Sequence, residues 1–418
     1  MNGRLSAISI RIGTYSLFGY FLGCTFSHAL GQNFLALALL SIIVAYFSGE
    51  YRKTGNFRNY FWIFVGLFLA WSIISSIVGS TPGRSLFILK EEWLFLMIPA
   101  AALLLSDEKK LKTGLVLFAI SFLMVSVYAV WQHFSGIDPY HGTTLAKAFD
   151  GGFRVTGNFS HRLTFGNFFA TGSILCLACA PRLSGRLYQS LFYGAFAVSA
   201  TAVVFTYNRS SIAALVFGIV MFFFLSGRKY IKTALILLAA IILVVLILTP
   251  EIYRRYTDTL QMELEGTHQR SRQSTWRTGI RMFADNPVFG VGPGNYYDNS
   301  AKYRDKTSIR LNGHAHNDVI NIAAYAGLPT AIFYLGFWVM IIVKMIRLLR
   351  KLKEKTFIRA VIIGTLLASL VFFITSFSES TFADEEVRLF LMAIWGIFFA
   401  AERVVKGSLK TAESIEKA

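Results

Sequence analysis

Residues 251–317 read EIYRRYTDTLQMELEGTHQRSRQSTWRTGIRMFADNPVFGVGPGNYYDNSAKYRDKTSIRLNGHAHN. This polar stretch separates two groups of apolar runs, and it is the one long segment that must lie in water. It contains Arg272, a Gly-Val-Gly-Pro-Gly run at residues 290–294, and the histidines His314 and His316. Because hydrocarbon does not solvate such groups, we expect any chemistry of this chain to be concentrated here.

The composition of the rest predicts a membrane protein. The 418 residues are 55% hydrophobic and 15% charged, whereas a soluble domain has about 25% charged residues. The apolar residues form runs near the roughly 20 residues that a helix needs to cross a bilayer. We therefore predict an all-α polytopic membrane protein with about 12 transmembrane helices and one large, partly helical outer loop. The predicted spans cover residues 8–27, 33–47, 60–78, 86–105, 111–133, 163–180, 187–206, 211–225, 231–248, 328–347, 357–377 and 387–401.

The distribution of charge predicts the orientation. A net charge of +18 suggests nucleic acid in a soluble protein, but here Lys and Arg collect in alternate short connections, as they do in cytoplasmic loops. We therefore predict no nucleic-acid partner, and both termini on the cytoplasmic side. The chain divides into helices 1–9 at 1–250, the outer loop with an amphipathic helix at 251–317, and helices 10–12 with a cytoplasmic tail at 318–418. The first apolar run lacks a cleavage site, so we expect a retained helix.

Neither histidines nor cysteines complete a metal site. Cys176 and Cys179 have CxxC spacing inside an apolar run, without a second pair or a nearby histidine. His314 and His316 could bind zinc, but the sequence offers no evident third ligand. We predict no metal and no cofactor. Lys90, inside a predicted span beside two glutamates, is expected to form an internal ion pair.

An amphipathic helix is predicted at residues 272–284. Its spacing places Arg272, Trp276, Ile280 and Phe283 on one face, which we expect to be the buried, aromatic face. A buried arginine needs an anionic partner, so Arg272 is a candidate functional residue. The remaining arginines of this helix lie on the opposite face and are expected to contact solvent or lipid headgroups.

Two other features of the outer side are compatible with phosphate binding. Arg209 follows Tyr207 and Asn208 between two apolar spans, where an ionisable residue is costly and commonly functional, although it could instead reach lipid headgroups. Guanidinium groups bind phosphate oxygens through paired hydrogen bonds. The glycine run at 290–294 could expose N–H groups to phosphate, but it lacks the Lys-Ser/Thr of a P-loop, and a structural turn is favoured.

His316 is the candidate general base, because an imidazole titrates near neutral pH. Asn317 could cap the helix that follows or contact substrate. Arg154 and His161 lie in another outer stretch, Arg-Val-Thr-Gly-Asn-Phe-Ser-His, and are candidates for a substrate groove.

These motifs resemble those of O-antigen ligases. His316-Asn317, nine residues and then Gly327-Leu328-Pro329-Thr330 are similar to the His-Asn-x9-Gly signature of that family. Arg272-x3-Trp276, the run at 286–295 and Arg209 also match the O-antigen ligase/polymerase superfamily. The order of the motifs, the 12 spans and the large loop before the last spans extend the resemblance over essentially the whole chain.

The resemblance implies a metal-independent enzyme of lipopolysaccharide biosynthesis in the bacterial inner membrane. Its active site would face the periplasm, and its partners would be an undecaprenyl-diphosphate-linked glycan, a lipid A–core acceptor and membrane lipids. The family's essential histidine corresponds to His316 and its essential arginines to Arg209 and Arg272, while Arg154, His161, Trp276, His314 and Asn317 are expected to bind substrate. Alternatives left open are an O-antigen polymerase, a protein O-oligosaccharyltransferase and, in a different class, a lipid-linked glycan transporter.

Overall fold

A computed structural model describes residues 2–48, 60–148, 151–227, 232, 272–304, 311, 313–352 and 356–416. Apart from residue 232, the predicted span at 231–248 lies outside this part of the chain, as do residues 251–271, 305–310 and 312 of the outer loop.

Long helices form nearly all of the structure, and the sheet consists of one hairpin of two-residue strands. In chain order the elements are α1 (Asn2–Gly23), α2 (His28–Phe47), α3 (Tyr60–Val78), α4 (Pro82–Ile88), a 3₁₀ helix (Leu89–Leu96), α5 (Met97–Leu104), α6 (Glu108–Ser135), β1 (Ile137–Asp138), β2 (Thr143–Thr144), α7 (Arg162–Cys179), a 3₁₀ turn (Ala180–Arg182), α8 (Arg186–Phe205), α9 (Arg209–Ser226), α10 (Arg272–Asp285), α11 (Tyr296–Tyr303), α12 (Asp318–Lys351), α13 (Phe357–Thr375), a 3₁₀ turn (Thr381–Ala383) and α14 (Glu385–Glu416).

Eight of the described helices are long and apolar enough to cross a membrane, namely α2, α3, α6, α7, α8, α9, α12 and α13. The prediction of an all-α polytopic membrane protein is therefore confirmed. The bundle is held by apolar packing, in which α13 lies against α7 and α9, α12 against α3, and α14 against α5. The helix predicted in the outer loop is present as α10, and it packs against α12.

The predicted span at residues 86–105 differs in the structure, because it is divided into α4, a 3₁₀ helix and α5. Pro99 is one physical reason. A proline has no N–H to donate to the carbonyl of Phe95, and its ring collides with that carbonyl in a continuous α-helix. The chain therefore leaves regular α geometry before this proline.

An ion-pair cluster lies at the same break. Arg388 of α14 is 5% exposed, and its guanidinium donates to Glu92 at 3.1 Å and to Glu91 at 3.3 Å. The expected ion pair of Lys90 with these glutamates is not what forms, because Arg388 takes both carboxylates. The Lys90 ammonium instead lies 3.6 Å from the centroid of the Phe87 ring.

The connections that carry the candidate site residues meet at one end of the bundle, which we call the site end. There α6, α8 and α13 end, and α7, α9, α12 and α14 begin. The Arg162 side chain, at the start of α7, donates to the Thr206 carbonyl at 3.0 Å, and the Asp318 amide, at the start of α12, donates to the Ser376 carbonyl at 2.9 Å. Residues that are distant in sequence thus become neighbours.

A glycine contact connects the outer loop to α12, which bends at Gly327. Gly327 has φ +80°, and a Cβ there would overlap the carbonyl oxygen of Val288. The amide of Gly292 donates to Tyr325 at 2.7 Å, and that of Val291 donates to Ala324 at 3.1 Å. Because those N–H groups are bound to protein carbonyls, the glycine run is a structural turn docked on the bend.

Replacing Gly327 by alanine is expected to lower the free energy of unfolding by about 2–4 kcal/mol, from the left-handed backbone and the overlap with Val288. Thermal unfolding of the detergent-purified protein measures this as a lower Tm. Gly66→Ala is the matched control, because a Cβ at Gly66 in α3 would meet no atom within 4 Å. Equal Tm values for the two variants would contradict the close contact.

Candidate functional site

One carboxylate, that of Glu379, connects two of the predicted catalytic residues. Glu379 Oε2 lies 2.9 Å from His316 Nδ1, and Arg272 donates to Glu379 Oε1 at 2.6 Å. The Glu379 side chain is 7% exposed, whereas those of His316 and Arg272 are 30% and 41% exposed. The buried Glu379 side chain therefore fixes the His316 and Arg272 side chains, while both of these remain accessible to a ligand.

The loop that carries Glu379 is fixed by the start of α12. Asp318, which is 1% exposed, accepts hydrogen bonds from the Phe382 amide at 3.0 Å and from the Thr381 hydroxyl at 3.1 Å. The Asn317 side-chain amide donates to the Phe377 carbonyl at 3.2 Å. The residues directly after His316 thus bind the loop on both sides of Glu379. These contacts bring the Glu379 carboxylate next to the His316 imidazole.

The electrostatics of Glu379 favour its ionised form. Burial raises the pKa of this carboxyl, but the hydrogen bond to His316 and the positive charge of Arg272 outweigh burial, so the pKa lies below its ordinary value. An ionised carboxylate only accepts hydrogen bonds, so Nδ1 of His316 must carry the proton. In the neutral imidazole Nε2 is then the unprotonated nitrogen, which is the form that a general base requires.

The backbone at His316 is strained. His316 has φ +51°, and among the described residues the only other non-glycine residue with positive φ is Tyr207, at +53°. Left-handed backbone costs a non-glycine residue about 1–2 kcal/mol and tends to persist where the surroundings hold it for function. Tyr207 lies two residues before Arg209, so both strained positions coincide with predicted catalytic segments.

Two predicted substrate-binding residues pack against His316. The Trp276 indole donates to the His316 carbonyl at 3.4 Å, and the rings of His314 and His316 lie 4.3 Å apart in an edge-to-face arrangement. The His316 amide also points to Nδ1 of His314, at 3.3 Å. Burial, together with a smaller effect of the neighbouring His316, lowers the pKa of His314 to about 4 against the opposing effect of Glu379. His314 is therefore neutral at physiological pH.

Asn317 has the structural role that the sequence left open. Its side-chain oxygen accepts from the Ile320 amide at 3.1 Å and caps α12, and its nitrogen binds Phe377. Both ends of the 7% exposed side chain are occupied by protein groups. Its contact with substrate stays a prediction.

The prediction of which face of α10 is buried was wrong in part. Ile280 is 51% exposed, and the buried residues of α10 are instead Ser274, Thr275, Thr278, Gly279 and Met282. Small residues line that face because α10 lies close to α12, and a Cβ on Gly279 would come within 2.7 Å of Ile320. Arg272 and Trp276 lie beside this face, which leaves them half-buried. Arg272 has the anionic partner that its position demands.

A cluster of arginines lies next to Glu379. The charges of Arg154, Arg209, Arg272 and Glu379 all act on the guanidinium of Arg162. Arg162 also donates to the carbonyls of residues 206 and 207, at 3.0 and 3.4 Å, and so holds the strained turn before Arg209. Sequence reasoning singled out neither Arg162 nor Glu379 for a role. The only signals were the position of Arg162 at the outer start of a span and the anion demanded by Arg272.

Arg154 and His161 both line a cavity of about 390 Å³ beside this cluster, together with Arg162. The structure thus brings Arg272, Trp276, His314 and His316 together around Glu379, places Arg209 with the arginines, and sets Arg154 and His161 at the adjoining cavity. An array of cations around a poised imidazole is suited to a substrate with phosphate groups and a hydroxyl to be deprotonated.

Comparison with known proteins points to one superfamily. The sequence model of a family described as O-antigen ligase matches residues 194–335, which include Arg209, Arg272 and His316. A curated protein of Salmonella muenchen described as O-antigen polymerase is 29% identical over 144 residues. That alignment covers 34% of this chain, and the chain spans only about a third of the length of this relative. The similarity agrees with the motifs of the O-antigen ligase/polymerase superfamily.

The protonation of His314 gives a testable pH dependence. Its pKa of about 4 is below the usual 6.5, so the unfolded chain takes up this proton first and stability falls as the pH drops from 6.5 towards 4. At pH 5 the loss is about 2 kcal/mol. In wild type, Tm is expected to fall between pH 7 and 5, and to fall less in His314→Gln. An NMR titration of labelled histidine with a His314 midpoint above 6 would contradict this.

Proposed function

We propose that this protein, a polytopic membrane protein of the O-antigen ligase/polymerase superfamily, joins a polyprenyl-diphosphate-linked glycan to a hydroxyl acceptor. The favoured reaction is that of an O-antigen ligase, in which undecaprenyl diphosphate carries the donor glycan and a lipid A–core sugar is the acceptor. The distribution of Lys and Arg supports a location in the inner membrane with the site end towards the periplasm.

The mechanism begins with the acceptor hydroxyl. Nε2 of His316 takes the hydroxyl proton as the oxygen attacks the anomeric carbon of the donor. The new glycosidic C–O bond forms while the bond from that carbon to the diphosphate oxygen breaks. The proton stays on His316, and undecaprenyl diphosphate leaves with the bonding electron pair. Because the acceptor attacks directly, the configuration at the anomeric carbon is inverted.

The observation that carries this proposal is the double contact of Glu379 with His316 and Arg272. A negative charge on Glu379 stabilises the imidazolium that forms when His316 accepts a proton. The same carboxylate orients Arg272, whose 41% exposed side chain retains donors for phosphate. Base and phosphate-binding group are thereby held at a fixed separation, as a concerted displacement requires.

The arginine cluster supplies the electrostatic part of catalysis. Arg209 and Arg272 are proposed to bind the diphosphate and to stabilise the charge that develops on it. Loss of one such preorganised donor typically lowers the rate by roughly 10²–10³. General-base assistance by His316 would contribute about 10²–10⁴. No ATP is consumed, since the diphosphate of the donor provides the driving force.

A polymerase is the second candidate, because the similar protein of Salmonella muenchen is described as an O-antigen polymerase. The same donor and the same groups would act, and the acceptor would be another lipid-linked glycan. A protein O-oligosaccharyltransferase would differ in the same way. A transporter is less well supported, because the arginines and Glu379 gather at the site end, whereas transport sites lie near the middle of the membrane.

Reconstitution tests the function directly. Purified protein in liposomes, given undecaprenyl-diphosphate glycan and rough lipopolysaccharide in the presence of EDTA, is expected to yield glycan joined to lipopolysaccharide. His316→Ala is expected to lower kcat by at least about 100-fold, and Arg209→Ala and Arg272→Ala by roughly 10²–10³. Elongated lipid-linked glycan in place of joined lipopolysaccharide would identify a polymerase. Glycan crossing the liposome membrane without bond formation would identify a transporter.

Glu379→Gln separates the role of charge from that of shape. The amide keeps the size of the side chain but neither neutralises an imidazolium nor pairs with Arg272, so kcat is expected to fall by about 10–100-fold. KM for the donor should rise as Arg272 loses its orientation. Asp298→Asn, which removes an exposed carboxylate paired with Arg84, is the control and should leave kcat unchanged. Full activity of Glu379→Gln would refute the assigned role.

A further inference from the structure

A second pair of carboxylate and imidazole lies at the site end, formed by residues that the proposed reaction does not use. Asp138 Oδ2 lies 2.7 Å from Nδ1 of His141, and Oδ1 accepts a hydrogen bond from the Tyr128 hydroxyl at 2.8 Å. Thr156 contributes a longer contact of 3.4 Å. The Asp138 side chain is 3% exposed and that of His141 is 29% exposed. The imidazole is thus held from behind by a buried carboxylate.

The chain builds this pair from a short hairpin. Strands β1 and β2 pair Asp138 with Thr143 and Ile137 with Thr144, so the tight turn between them returns His141 over the carboxylate. Although burial raises the pKa of Asp138, the hydrogen bonds from His141 and Tyr128 outweigh it, and the pKa lies below its ordinary value. Asp138 therefore carries a charge that orients His141 through Nδ1 and leaves Nε2 for another partner.

His141 lines the cavity of about 390 Å³ that Arg154, His161 and Arg162 share. This volume falls within the roughly 300–1,000 Å³ of small-ligand sites. Its lining also includes the hydroxyl-bearing residues Thr143, Thr144, Thr156 and Ser160. Hydroxyl groups that both donate and accept are suited to the hydroxyls of a sugar.

The charges around the cavity favour an acidic ligand. Among the described residues that line it, two guanidinium groups and two imidazoles accompany a single carboxylate. That carboxylate, Asp138, is buried and already accepts hydrogen bonds from protein groups. A phosphate or carboxylate on a bound sugar would therefore meet a surplus of cationic donors.

The cavity adjoins the proposed reaction centre but is separate from it. Arg162 belongs to the lining, and it also lies within the field of Arg209, Arg272 and Glu379. Of the described catalytic candidates, His316, Arg209 and Arg272 are not part of the lining. A glycan bound with its reacting end at the arginines could therefore extend one or more sugars into this space.

We propose that this cavity is a subsite for a sugar bearing an acidic group, with His141 as the residue that recognises that group. This inference deepens the proposed function and rests on it. The acidic sugar belongs either to the acceptor, as a phosphorylated core sugar, or to the donor glycan, as a uronic acid. In both cases the shared chemistry is one anionic substituent held by His141 within the cationic lining.

Two matched pairs of substrates test the subsite in the reconstituted full-length protein. The first pair is rough lipopolysaccharide before and after removal of its core phosphates. The second is undecaprenyl-diphosphate glycan with glucuronic acid or with glucose at the same position. Wild type is expected to favour the acidic member of one pair by about 10-fold in kcat/KM, the scale of one charge-assisted hydrogen bond. The pair that is discriminated identifies the source.

His141→Gln is expected to reduce that preference to less than about 2-fold by raising KM, with kcat nearly unchanged. Asp138→Asn should act in the same direction, because it removes the charge that orients His141. Lys147→Gln is the control, since Lys147 is an exposed cation of the same loop that does not line the cavity. Comparable Tm values for wild type and His141→Gln exclude unfolding as the cause of a lost preference. Because His141 is partly exposed, its replacement is compatible with the fold.

The outcomes separate this inference from the proposed function. Joined product with no preference within either pair, or a preference that His141→Gln retains, overturns the acidic-sugar subsite while transfer stands. Loss of the preference in Lys147→Gln to the same extent as in His141→Gln also overturns it, because general charge would then suffice. The absence of joined product with every substrate refutes the proposed function itself.

Discussion

The buried carboxylate of Glu379 constrains the whole site end. An ionised carboxylate at 7% exposure is costly unless it is paired, and in this protein its partners are His316 and Arg272. Those partners lie 63 and 107 residues away in the chain. The outer loop, the start of α12 and the short connection before α14 must therefore come together to satisfy one charge. Assembly of the site and burial of that charge are the same event.

Preorganisation extends from this carboxylate into the backbone. His316 and Tyr207 both adopt left-handed backbone conformations, and residues nearby in the structure hold each of them in place. Asn317 and Asp318 tie the strained His316 to the loop of Glu379, while Arg162 binds the carbonyl of Tyr207. Strain of this kind lets an imidazole and a guanidinium face a ligand without rearrangement when the ligand arrives.

The helix bundle carries the candidate site residues on the connections at its site end. Arg388, in the first turn of α14, pairs with two glutamates at the break between α4 and α5. The cavity around His141 shares Arg162 with the arginine cluster but uses its own buried carboxylate. The imidazoles of His316 and His141 are thus each paired with a buried carboxylate, and Arg162 lines the cavity of one and feels the charge of the carboxylate of the other. Under the proposed function, this arrangement would divide bond formation from recognition of the glycan.

Local features of the sequence determined most of the frame. Apolar runs specified the helices because length and hydrophobicity suffice to place a segment in a bilayer, and Gly327 followed by proline specified the bend in α12. The demand of Arg272 for an anion was also readable, since an uncompensated charge in a half-buried position is unfavourable. The identity of that anion was not, because nothing along the chain connects Glu379 to α10.

Only the tertiary structure decided which side chains meet. The buried face of α10 is set by the close approach of Gly279 to α12. Helical periodicity alone does not show which other helix α10 packs against. The same holds for Gly327, whose missing side chain makes room for the carbonyl of Val288. His141 and Asp138 are near neighbours in sequence, but the role proposed for them depends on a cavity that Arg154 and Arg162 complete from other segments. Sequence specifies the charges and the helices, whereas the pairing of those charges depends on distances that only folding creates.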